Sequence, residues 1–301
     1  MRTTCLINNY NYALFIAGAI DSALRQTISF DEIIVVDDGS TDNSVEIIKQ
    51  HFGHNEKVKL ICKENGGQLS CFNEGFAAAS GDVIFFLDAD DLYQEWYLER
   101  ALSVYDNNRD CEFVFCAYQE FGGLDSIVKR YPIDRSLGYT VILTYYLEKW
   151  IGSPTSAISI KTSALNSILP IPYLKDWRTR ADDCLVYGAS LVGAKKYFLS
   201  EPCVCYRIHG NNNWFGKKFN AAQIYKRGLA INRLFSLYLE KQKYGNDLKK
   251  LIFWEFRTYP KPSFRELRWY IKICQNAELA LWEKLQSIKS LIIYYLKSRM
   301  G

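Results

Sequence analysis

The stretch Gly81-Asp-Val-Ile-Phe-Phe-Leu-Asp-Ala-Asp-Asp91 decides the fold. Its centre, 83–87, is an unbroken apolar run of strand length, too hydrophobic for a strand with one face in water. Three carboxylates, Asp88, Asp90 and Asp91, follow directly. In a parallel sheet covered by helices on both faces, the loops at the carboxyl ends of the strands bind ligands. The stretch therefore predicts a buried strand that leads straight into a functional loop.

Short apolar runs alternate with amphipathic ones on both sides of this stretch. We predict strands at 4–7, 32–37, 58–62, 83–87 and 113–117, and helices at 16–26, 44–52, 69–79 and 95–105. This alternation indicates an α/β fold with a doubly wound, mostly parallel sheet. The pattern loosens after about residue 120, where we predict a strand at 155–160, a helix at 183–191 and a strand at 204–208.

Charge is distributed unevenly along the 301 residues. The whole chain has a net charge of +4, but residues 217–301 contain 18 Lys and Arg against 6 Asp and Glu, a net of +12. Residues 1–216 contain 19 basic and 27 acidic residues, a net of −8. Such an asymmetry suggests that the acidic and the basic part of the chain have different tasks. We predict one domain at 1–216, with halves at 1–118 and 119–216, and a basic helical C-terminal extension at 217–301.

The nine cysteines are scattered, odd in number and without a CxxC pair. They indicate reduced, buried thiols in a cytoplasmic protein rather than a disulfide framework or a zinc site. The first residues lack a signal-peptide pattern, and no stretch approaches the ~20 apolar residues that span a bilayer. We therefore expect a cytoplasmic protein that does not cross the membrane on its own.

The carboxylates after the central strand indicate a metal site. Carboxylates that lie this close repel one another and require a cation or open water. Oxygen ligands at the rim of a parallel sheet suit Mg²⁺ or Mn²⁺ beside a diphosphate, whose charge the ion neutralises. A solvated turn before a helix N-terminus is the alternative. The position after a buried strand favours the metal site.

Asp37-Asp38-Gly39-Ser40 repeats this arrangement one strand earlier in the chain. Gly39 permits a tight turn, and Ser40 can cap the following helix. A carboxylate here can accept hydrogen bonds from a nucleobase or from a ribose hydroxyl. Capping alone explains the motif equally well, so the residues leave both interpretations open.

Five blocks in this order resemble a known family. They are Asn8-Asn-Tyr-Asn11, Ala23-Leu-Arg-Gln-Thr27, Glu32-Ile-Ile-Val-Val-Asp-Asp-Gly-Ser-Thr-Asp42, Asn65-Gly-Gly67 with Asn73-Glu-Gly75, and the stretch 81–91. Together they closely resemble the family 2 glycosyltransferases with the GT-A fold, strongly over residues 3–118 and more weakly to about 215. The resemblance implies inverting transfer of a sugar from a nucleotide diphosphate sugar to an acceptor hydroxyl, in surface polysaccharide or lipid-linked glycan synthesis. UDP is the nucleotide that it implies first, with dTDP and GDP as alternatives.

The resemblance also implies roles for single residues in the first half. Asn8, Tyr10 and Asp38 would line the nucleobase and ribose pocket. Asp88 would contact the donor as the first residue of the D-x-D pair. Asp90 or Asp91 would bind the metal, and the sequence leaves the choice between those two open.

The second half is expected to supply a base, because a single displacement needs a group that takes the acceptor proton. Asp182-Asp183 resembles the Glu-Asp pair with which the catalytic helix of the family begins, and by that match Asp183 is the base. Asp182 departs from the usual Glu. A helix cap is the alternative role for this pair.

Other second-half residues match family positions near the substrates. Thr155 would border the acceptor, Arg207 could contact phosphate, and His209 could approach the metal or the diphosphate. A structural hydrogen bond is an equally good explanation for the histidine. Trp150, Trp177 and Trp214 could stack on an acceptor, although tryptophans more often pack in a core.

The basic C-terminal extension allows two interpretations. Apolar residues recur at helical spacing over 279–296, with lysines among them. Such a helix can rest on an anionic membrane, at the inner face of which the protein would be peripheral. It can also pack against the domain at 1–216 or against a second copy in a homo-oligomer, and the sequence modestly favours this packing. We expect no nucleic acid partner, since no recognised reader motif is present.

The sequence disfavours two functions other than that of a transferase. A sugar nucleotidyltransferase would show a Gly-rich phosphate loop near the N-terminus, and residues 5–20 lack one. A non-catalytic subunit that binds a nucleotide sugar would have no need of Asp88, Asp90 and Asp183 together. We therefore expect an active, metal-dependent enzyme.

Overall fold

The central strand forms where the apolar run predicts it, and strands flank it on both sides. The computed structural model describes residues 1–123, 125–210, 218–244 and 246–300. The strands are β1 (Thr3–Asn9), β2 (Glu32–Asp37), β3 (Val58–Cys62), β4 (Val83–Asp88), β5 (Leu92–Tyr93), β6 (Cys111–Phe121), β7 (Ser126–Val128), β8 (Arg135–Gly138), β9 (Ile158–Lys161) and β10 (Lys195–Arg207). They join in one sheet with the order β3-β2-β1-β4-β9-β6-β10-β5, while β7 pairs with β6 and β8 with β10.

Helices connect these strands and cover both faces of the sheet. They are α1 (Ile16–Leu24), α2 (Ser44–Phe52), α3 (Gln68–Ala78), α4 (Tyr97–Asn107), α5 (Val141–Leu147), α6 (Thr162–Ile168), α7 (Asp182–Leu191), α8 (Ala221–Gln242), α9 (Ile252–Arg257), α10 (Phe264–Asn276) and α11 (Leu281–Met300). Short 3₁₀ turns lie at Thr155–Ala157 and Asn246–Leu251. The α/β fold with a mostly parallel central sheet and a helical C-terminal region is confirmed.

The first four strands in space, β3, β2, β1 and β4, run parallel. Their carboxyl ends therefore lie at the same edge of the sheet. The register places Asn8 of β1 beside Asp88 of β4, and Asn9 beside Asp37 of β2. The polar residues that follow these strands are thus brought together by the backbone pairing alone.

Alternation along the buried strands builds two cores. Leu6, Ile84 and Phe86 point to one face of the sheet and join a core that includes residues of α3, α7 and the C-terminal helices. Ile7 and Phe85 point to the other face, towards α1, α2 and α4. All five side chains are fully buried. Burying each contributes on the order of 2 kcal/mol, which explains why the run 83–87 carries no polar residue.

The second half departs from the predicted rhythm. The strand expected at 155–160 begins with a 3₁₀ turn, and only 158–161 pairs as β9, antiparallel to both β4 and β6. The strand expected at 204–208 is the end of the much longer β10, which pairs parallel with β6. The elements α5, α6, β7 and β8 were not predicted, because each is only three to seven residues long.

The C-terminal helices pack against the body of the protein. Leu234 and Tyr238 of α8 belong to the same core as Tyr187 of α7, and the Tyr238 hydroxyl donates a hydrogen bond to the Ile168 carbonyl at 3.1 Å. The predicted boundary between 216 and 217 lies outside the described residues, and the division into domains stays a prediction. Among the helices that the structure describes, none is both long and apolar enough to cross a membrane. All nine cysteines are free thiols, and seven of them are buried.

Glu255 of α9 links this helix to α5 and α10 through hydrogen bonds. Its carboxylate accepts hydrogen bonds from the backbone N–H groups of Ile142 at 2.8 Å and Leu143 at 3.1 Å, at the start of α5. It also accepts one from the Tyr270 hydroxyl of α10 at 2.7 Å. Burial raises the pKa of Glu255 from 4.5 to about 7, and the hydrogen bonds only partly offset that rise.

We expect stability to depend on the protonation of Glu255. Between pH 4.5 and about 7 the folded protein holds a proton on Glu255 that the unfolded chain has released. The free energy of unfolding therefore falls as pH rises through this window, by about 3 kcal/mol in total from this one group. Urea unfolding of the wild type and of Glu255→Gln from pH 4 to 8 measures the difference.

The control for that experiment is Glu95→Gln, which neutralises an exposed carboxyl. The stability difference between the wild type and Glu255→Gln is expected to shift across the window, whereas the difference for Glu95→Gln stays nearly flat. A pH-independent difference for Glu255→Gln would contradict the assigned titration.

Candidate active site

One cavity lies at the carboxyl edge of the parallel strands. It has a volume of about 820 Å³ and is open to solvent. Both halves of the chain line it, so that the loops after β1, β2 and β4 face the start of α7. The lining residues are 8–15, Asp38, Asp42, Asn65, Gly67, Gln68, Cys71, Asp88, Asp90, Trp150, Pro154, Thr155, Arg178, Thr179, Arg180, Asp182 and Tyr206.

Asp88, Asp90 and Asp91 form a tight acidic cluster at this cavity. One carboxylate oxygen from each lies within 4.8 Å of the others. Burial, followed by repulsion from Asp90, raises the pKa of Asp88 to about 7 and that of Asp91 well above its usual range. A divalent cation would relieve this repulsion, and three carboxylate oxygens are the donors that Mg²⁺ and Mn²⁺ prefer. The cluster therefore fits the predicted metal.

The three carboxylates differ in how the protein already uses their oxygens. Asp91 accepts hydrogen bonds on both: the Ser156 hydroxyl donates to one at 2.6 Å, and the Arg207 backbone N–H donates to the other at 2.8 Å. Asp90 has one oxygen at 2.9 Å from Nε2 of His209 and faces the cavity. This geometry favours Asp90 over Asp91 as a direct metal ligand and gives Asp91 the task of fixing the loop.

His209 lies beside the cluster, as predicted. Its ring is 5.9 Å from that of Tyr12 and 5.2 Å from that of Phe15, and these contacts hold the imidazole next to Asp90. The sequence had left open whether this histidine makes a structural hydrogen bond or binds metal. Its position allows both, because Nε2 meets a carboxylate of the candidate metal site.

Arg207 lies behind the acidic loop, and it is absent from the cavity lining although a phosphate contact was predicted for it. Its guanidinium lies over the rings of Phe15 at 4.7 Å and Phe121 at 4.3 Å, and Nε donates to the Asp90 carbonyl at 2.8 Å. The side chain therefore holds the loop that carries the acids. The adjacent Tyr206 lines the cavity in its place.

Asn8, Tyr10 and Asp38 line the cavity where the nucleobase and ribose pocket was predicted. The side-chain oxygen of Asn8 is buried and has no hydrogen-bond partner within the described part of the chain. Tyr10 is 45% exposed at the mouth of the cavity. Of the two side chains, the exposed ring of Tyr10 is suited to contact a bound base.

Both oxygens of Asp38 are already bound by the protein. The backbone N–H groups of Gly66 and Gly67 donate to them at 2.8 and 2.7 Å, and Lys63 Nζ lies 2.7 Å from one of them. Asp38 thereby holds the loop at 65–67 in place. Gly67 has φ +88°, and a Cβ there would lie 2.4 Å from the Cα of Arg178, so that only glycine lets the two halves approach.

Gln68 connects the acidic cluster to residues of the second half of the chain, and it was not among the predicted site residues. Its amide nitrogen donates to Asp88 at 2.8 Å and to the Thr155 hydroxyl at 3.2 Å. Its amide oxygen accepts from the backbone N–H of Ala181 at 2.9 Å, immediately before α7. The position of Gln68, directly after Gly66-Gly67 at the start of a helix, could have marked it as a candidate site residue. Its three partners could not be predicted, because they are distant in sequence.

The two carboxyls at the start of α7 have different environments. Asp183 is fully buried and is paired with Arg180 at 3.2 Å and, in closer contact, with Arg227 of α8. It does not line the cavity, although it was predicted to be the base. Asp182 is partly exposed and lines the cavity, and burial raises its pKa. Asp182 is thus the carboxyl of this pair that reaches the cavity, and the role of Asp183 as the base stays a prediction.

The remaining candidates from the second half fall into different places. Thr155 lines the cavity, as does Trp150, whose ring is 5.1 Å from the Arg130 guanidinium. Trp177 is buried in the core and cannot stack on an acceptor. Trp214 lies outside the described residues.

Comparison with known proteins gives consistent matches. A family model for glycosyl transferase family 2 matches residues 4–167. An uncharacterized glycosyltransferase of Nostoc sp., alr2836, is 37% identical over 219 residues, which are 71% of this chain and 66% of that protein. Glycosyltransferase GlyG of Streptococcus pneumoniae is 33% identical over 66% of this chain and 68% of that protein.

Two further matches are more distant or more partial. Chondroitin synthase of Pasteurella multocida is 36% identical over 35% of this chain, and the match spans only 11% of the length of that protein. A crystal structure of S. aureus TarS in complex with UDP-GlcNAc superposes with a TM-score of 0.60 at 17% identity, covering 99% of this chain and 73% of that chain. At this identity the superposition shows a shared fold.

We expect the acidic cluster to bind Mn²⁺ through Asp90. Loss of outer partners of metal ligands costs 10–100-fold in affinity, so Asp90→Asn should weaken binding by at least ~10-fold. Titration followed by the electron paramagnetic resonance of free Mn²⁺ measures the affinity. Asp106→Asn, at an exposed position of α4, is the matched control and should bind as the wild type does. Equal affinity for Asp90→Asn would exclude Asp90 as a ligand.

Proposed function

Since the chain belongs to glycosyl transferase family 2, we propose that it is an inverting enzyme that transfers a sugar from a nucleotide diphosphate sugar to an acceptor hydroxyl. The observation that carries this proposal is the shared cavity, in which the acidic cluster after β4 and Asp182 of α7 are both present. UDP is the proposed nucleotide, and the likeness to a TarS structure that contains UDP-GlcNAc supports it. The partial match to a chondroitin synthase supports a role in polysaccharide or lipid-linked glycan synthesis.

The donor lies, in this proposal, along the ends of β1, β2 and β4. Asn8 borders the base inside the cavity, and Tyr10 covers the base at the mouth of the cavity. Asp88 is held at 2.8 Å from the Gln68 amide and accepts from a ribose hydroxyl. Asp38 shapes this pocket through the loop that it fixes.

The metal site is proposed at Asp88, Asp90 and Asp91, for Mn²⁺ or Mg²⁺. Asp90 would be its direct protein ligand. Nε2 of His209 lies 2.9 Å from a carboxylate oxygen of Asp90. When bound, such an ion neutralises the charge that builds on the departing nucleotide diphosphate. Arg207 and Ser156 keep the loop in place for this purpose through their hydrogen bonds to the backbone of Asp90 and to Asp91.

Asp182 is the proposed general base. It takes the proton from the acceptor hydroxyl while the hydroxyl oxygen attacks the anomeric carbon from the face opposite the diphosphate. The bond from the anomeric carbon to the diphosphate oxygen breaks with its electron pair, so that the nucleoside diphosphate leaves and the configuration inverts. Thr155 and Trp150 border the space in which the acceptor would lie.

Asp183 acts in this proposal through its neighbours. Its buried carboxylate pairs with Arg180, which lines the cavity, and with Arg227 of α8. It thereby fixes the first turn of α7, from which Asp182 projects. Two positive guanidinium groups close to Asp182 also favour its ionised form, against the rise in pKa that burial causes.

The first experiment is a hydrolysis and transfer assay over a panel of nucleotide sugars with Mn²⁺ or Mg²⁺. We expect slow release of one nucleotide, UDP, which stops when EDTA removes the metal and resumes when Mn²⁺ is added back. Asp90→Ala serves as the inactive control. Release that continues unchanged in EDTA would contradict metal dependence. If no donor is turned over and calorimetry with UDP and Mn²⁺ shows no binding, the proposed function is wrong.

A comparison of the two neighbouring aspartates tests the base. Removing a general base costs typically 10²–10⁴-fold, so Asp182→Asn should lose transfer by at least ~100-fold while it still binds UDP with Mn²⁺. Asp183→Asn leaves two arginines without their carboxylate and should lower the free energy of unfolding by about 3 kcal/mol. Its folded fraction should nevertheless transfer sugar faster than Asp182→Asn. The reverse order of activities would restore Asp183 as the base.

A further inference from the structure

Helix α11, the 20-residue helix Leu281–Met300, has a second apolar face that the rest of the structure does not cover. Its exposed apolar residues include Leu281, Trp282, Leu285, Ile292, Ile293 and Leu296. At 100° per residue these positions fall within about 120° of the helix circumference and form one continuous stripe. Trp282 is 70% exposed. We call this surface the α11 stripe.

The opposite face of α11 anchors the helix to the protein. Leu291 is buried, and Ile288 and Tyr295 pack against the same core. The Tyr294 hydroxyl donates to the carbonyls of Arg257 at 3.0 Å and Tyr259 at 2.9 Å. The helix is therefore seated by one face, and the α11 stripe points away from the body.

Basic residues accompany the stripe. By the same helical geometry Lys289 and Arg299 fall within it, and Lys297 falls at its border. Neighbouring α10 exposes Arg265, Arg268 and Lys272. The region 217–301 as a whole carries a net charge of +12.

We propose that the α11 stripe docks on the surface of an anionic lipid bilayer. An apolar stripe with an exposed tryptophan and interspersed lysines and arginines suits the boundary between headgroups and acyl chains. Lys and Arg near an anionic leaflet add attraction for each residue. The helix lies on the surface and does not span it, since α11 is not apolar enough to cross.

Charge also argues against a second copy as the occupant of the stripe. A two-fold dimer contact brings the same residues of both chains together. Lys289 and Arg299 of both chains would then enter one contact, and Glu283, the one acidic residue of α11, falls outside the stripe. An anionic membrane supplies the complementary charge that a second copy lacks.

The test is flotation of the full chain with lipid vesicles. We expect the wild type to float with vesicles of phosphatidylcholine that contain about a third phosphatidylglycerol, and to remain behind with pure phosphatidylcholine. At about one kilocalorie per basic residue, Lys289→Gln with Lys297→Gln should weaken binding ~30-fold. Leu285→Gln with Ile292→Gln should abolish flotation. Because these side chains are exposed, both variants should keep the thermal stability of the wild type.

The matched control is Ile28→Gln with Lys49→Gln, which removes one exposed apolar and one exposed basic side chain far along the chain from α11. It should float as the wild type does. Equal flotation of all variants, or no flotation of the wild type, overturns the proposal. So does a dimer in light scattering that Leu285→Gln with Ile292→Gln converts to a monomer. Since flotation does not depend on catalysis, its failure would leave the proposed transferase untouched.

Discussion

Mutual repulsion among Asp88, Asp90 and Asp91 is the constraint around which this structure is arranged. Burial, followed by this repulsion, raises the pKa of Asp88 and that of Asp91. The fold meets the constraint with donors drawn from distant parts of the chain: Gln68 from the start of α3, Ser156 from the turn before β9, and the Arg207 backbone from the end of β10. The second half of the sheet therefore holds the acidic residues of the first half in place.

The periodicity of apolar residues was sufficient to predict the strands and helices of the first half of the fold. Strands covered on both faces and amphipathic helices each leave a clear pattern, so β1 to β4 appear where the apolar runs predict them. The edge at which Asn8, Asp38 and Asp88 meet follows from parallel pairing alone. The placement of these residues at one cavity could therefore be predicted from sequence, and the resemblance to family 2 glycosyltransferases named the same positions.

Other features of the site depend on contacts that spacing cannot reveal. The pairing of His209 with Asp90 joins residues that are 119 positions apart. The sequence does not distinguish Asp182 from Asp183. One helical step of 100° nevertheless places Asp182 at the cavity and Asp183 in contact with Arg180 and Arg227. The C-terminal helices pose the same problem, because the apolar residues that seat α11 and those that remain exposed share one amphipathic pattern. Only tertiary packing decides which of them is buried.

The contact between Gly67-Gln68 and the segment before α7 has a consequence for recombination. The Gln68 backbone N–H donates to the Arg178 carbonyl at 2.9 Å, and its side chain receives the Ala181 N–H. A chimaera that joins the first half of this chain to the second half of a relative would break both bonds unless the incoming segment follows the same path. Exchange of whole halves between relatives is therefore restricted to partners with a compatible backbone at 177–181, whereas point changes at positions such as Thr155 leave this contact intact.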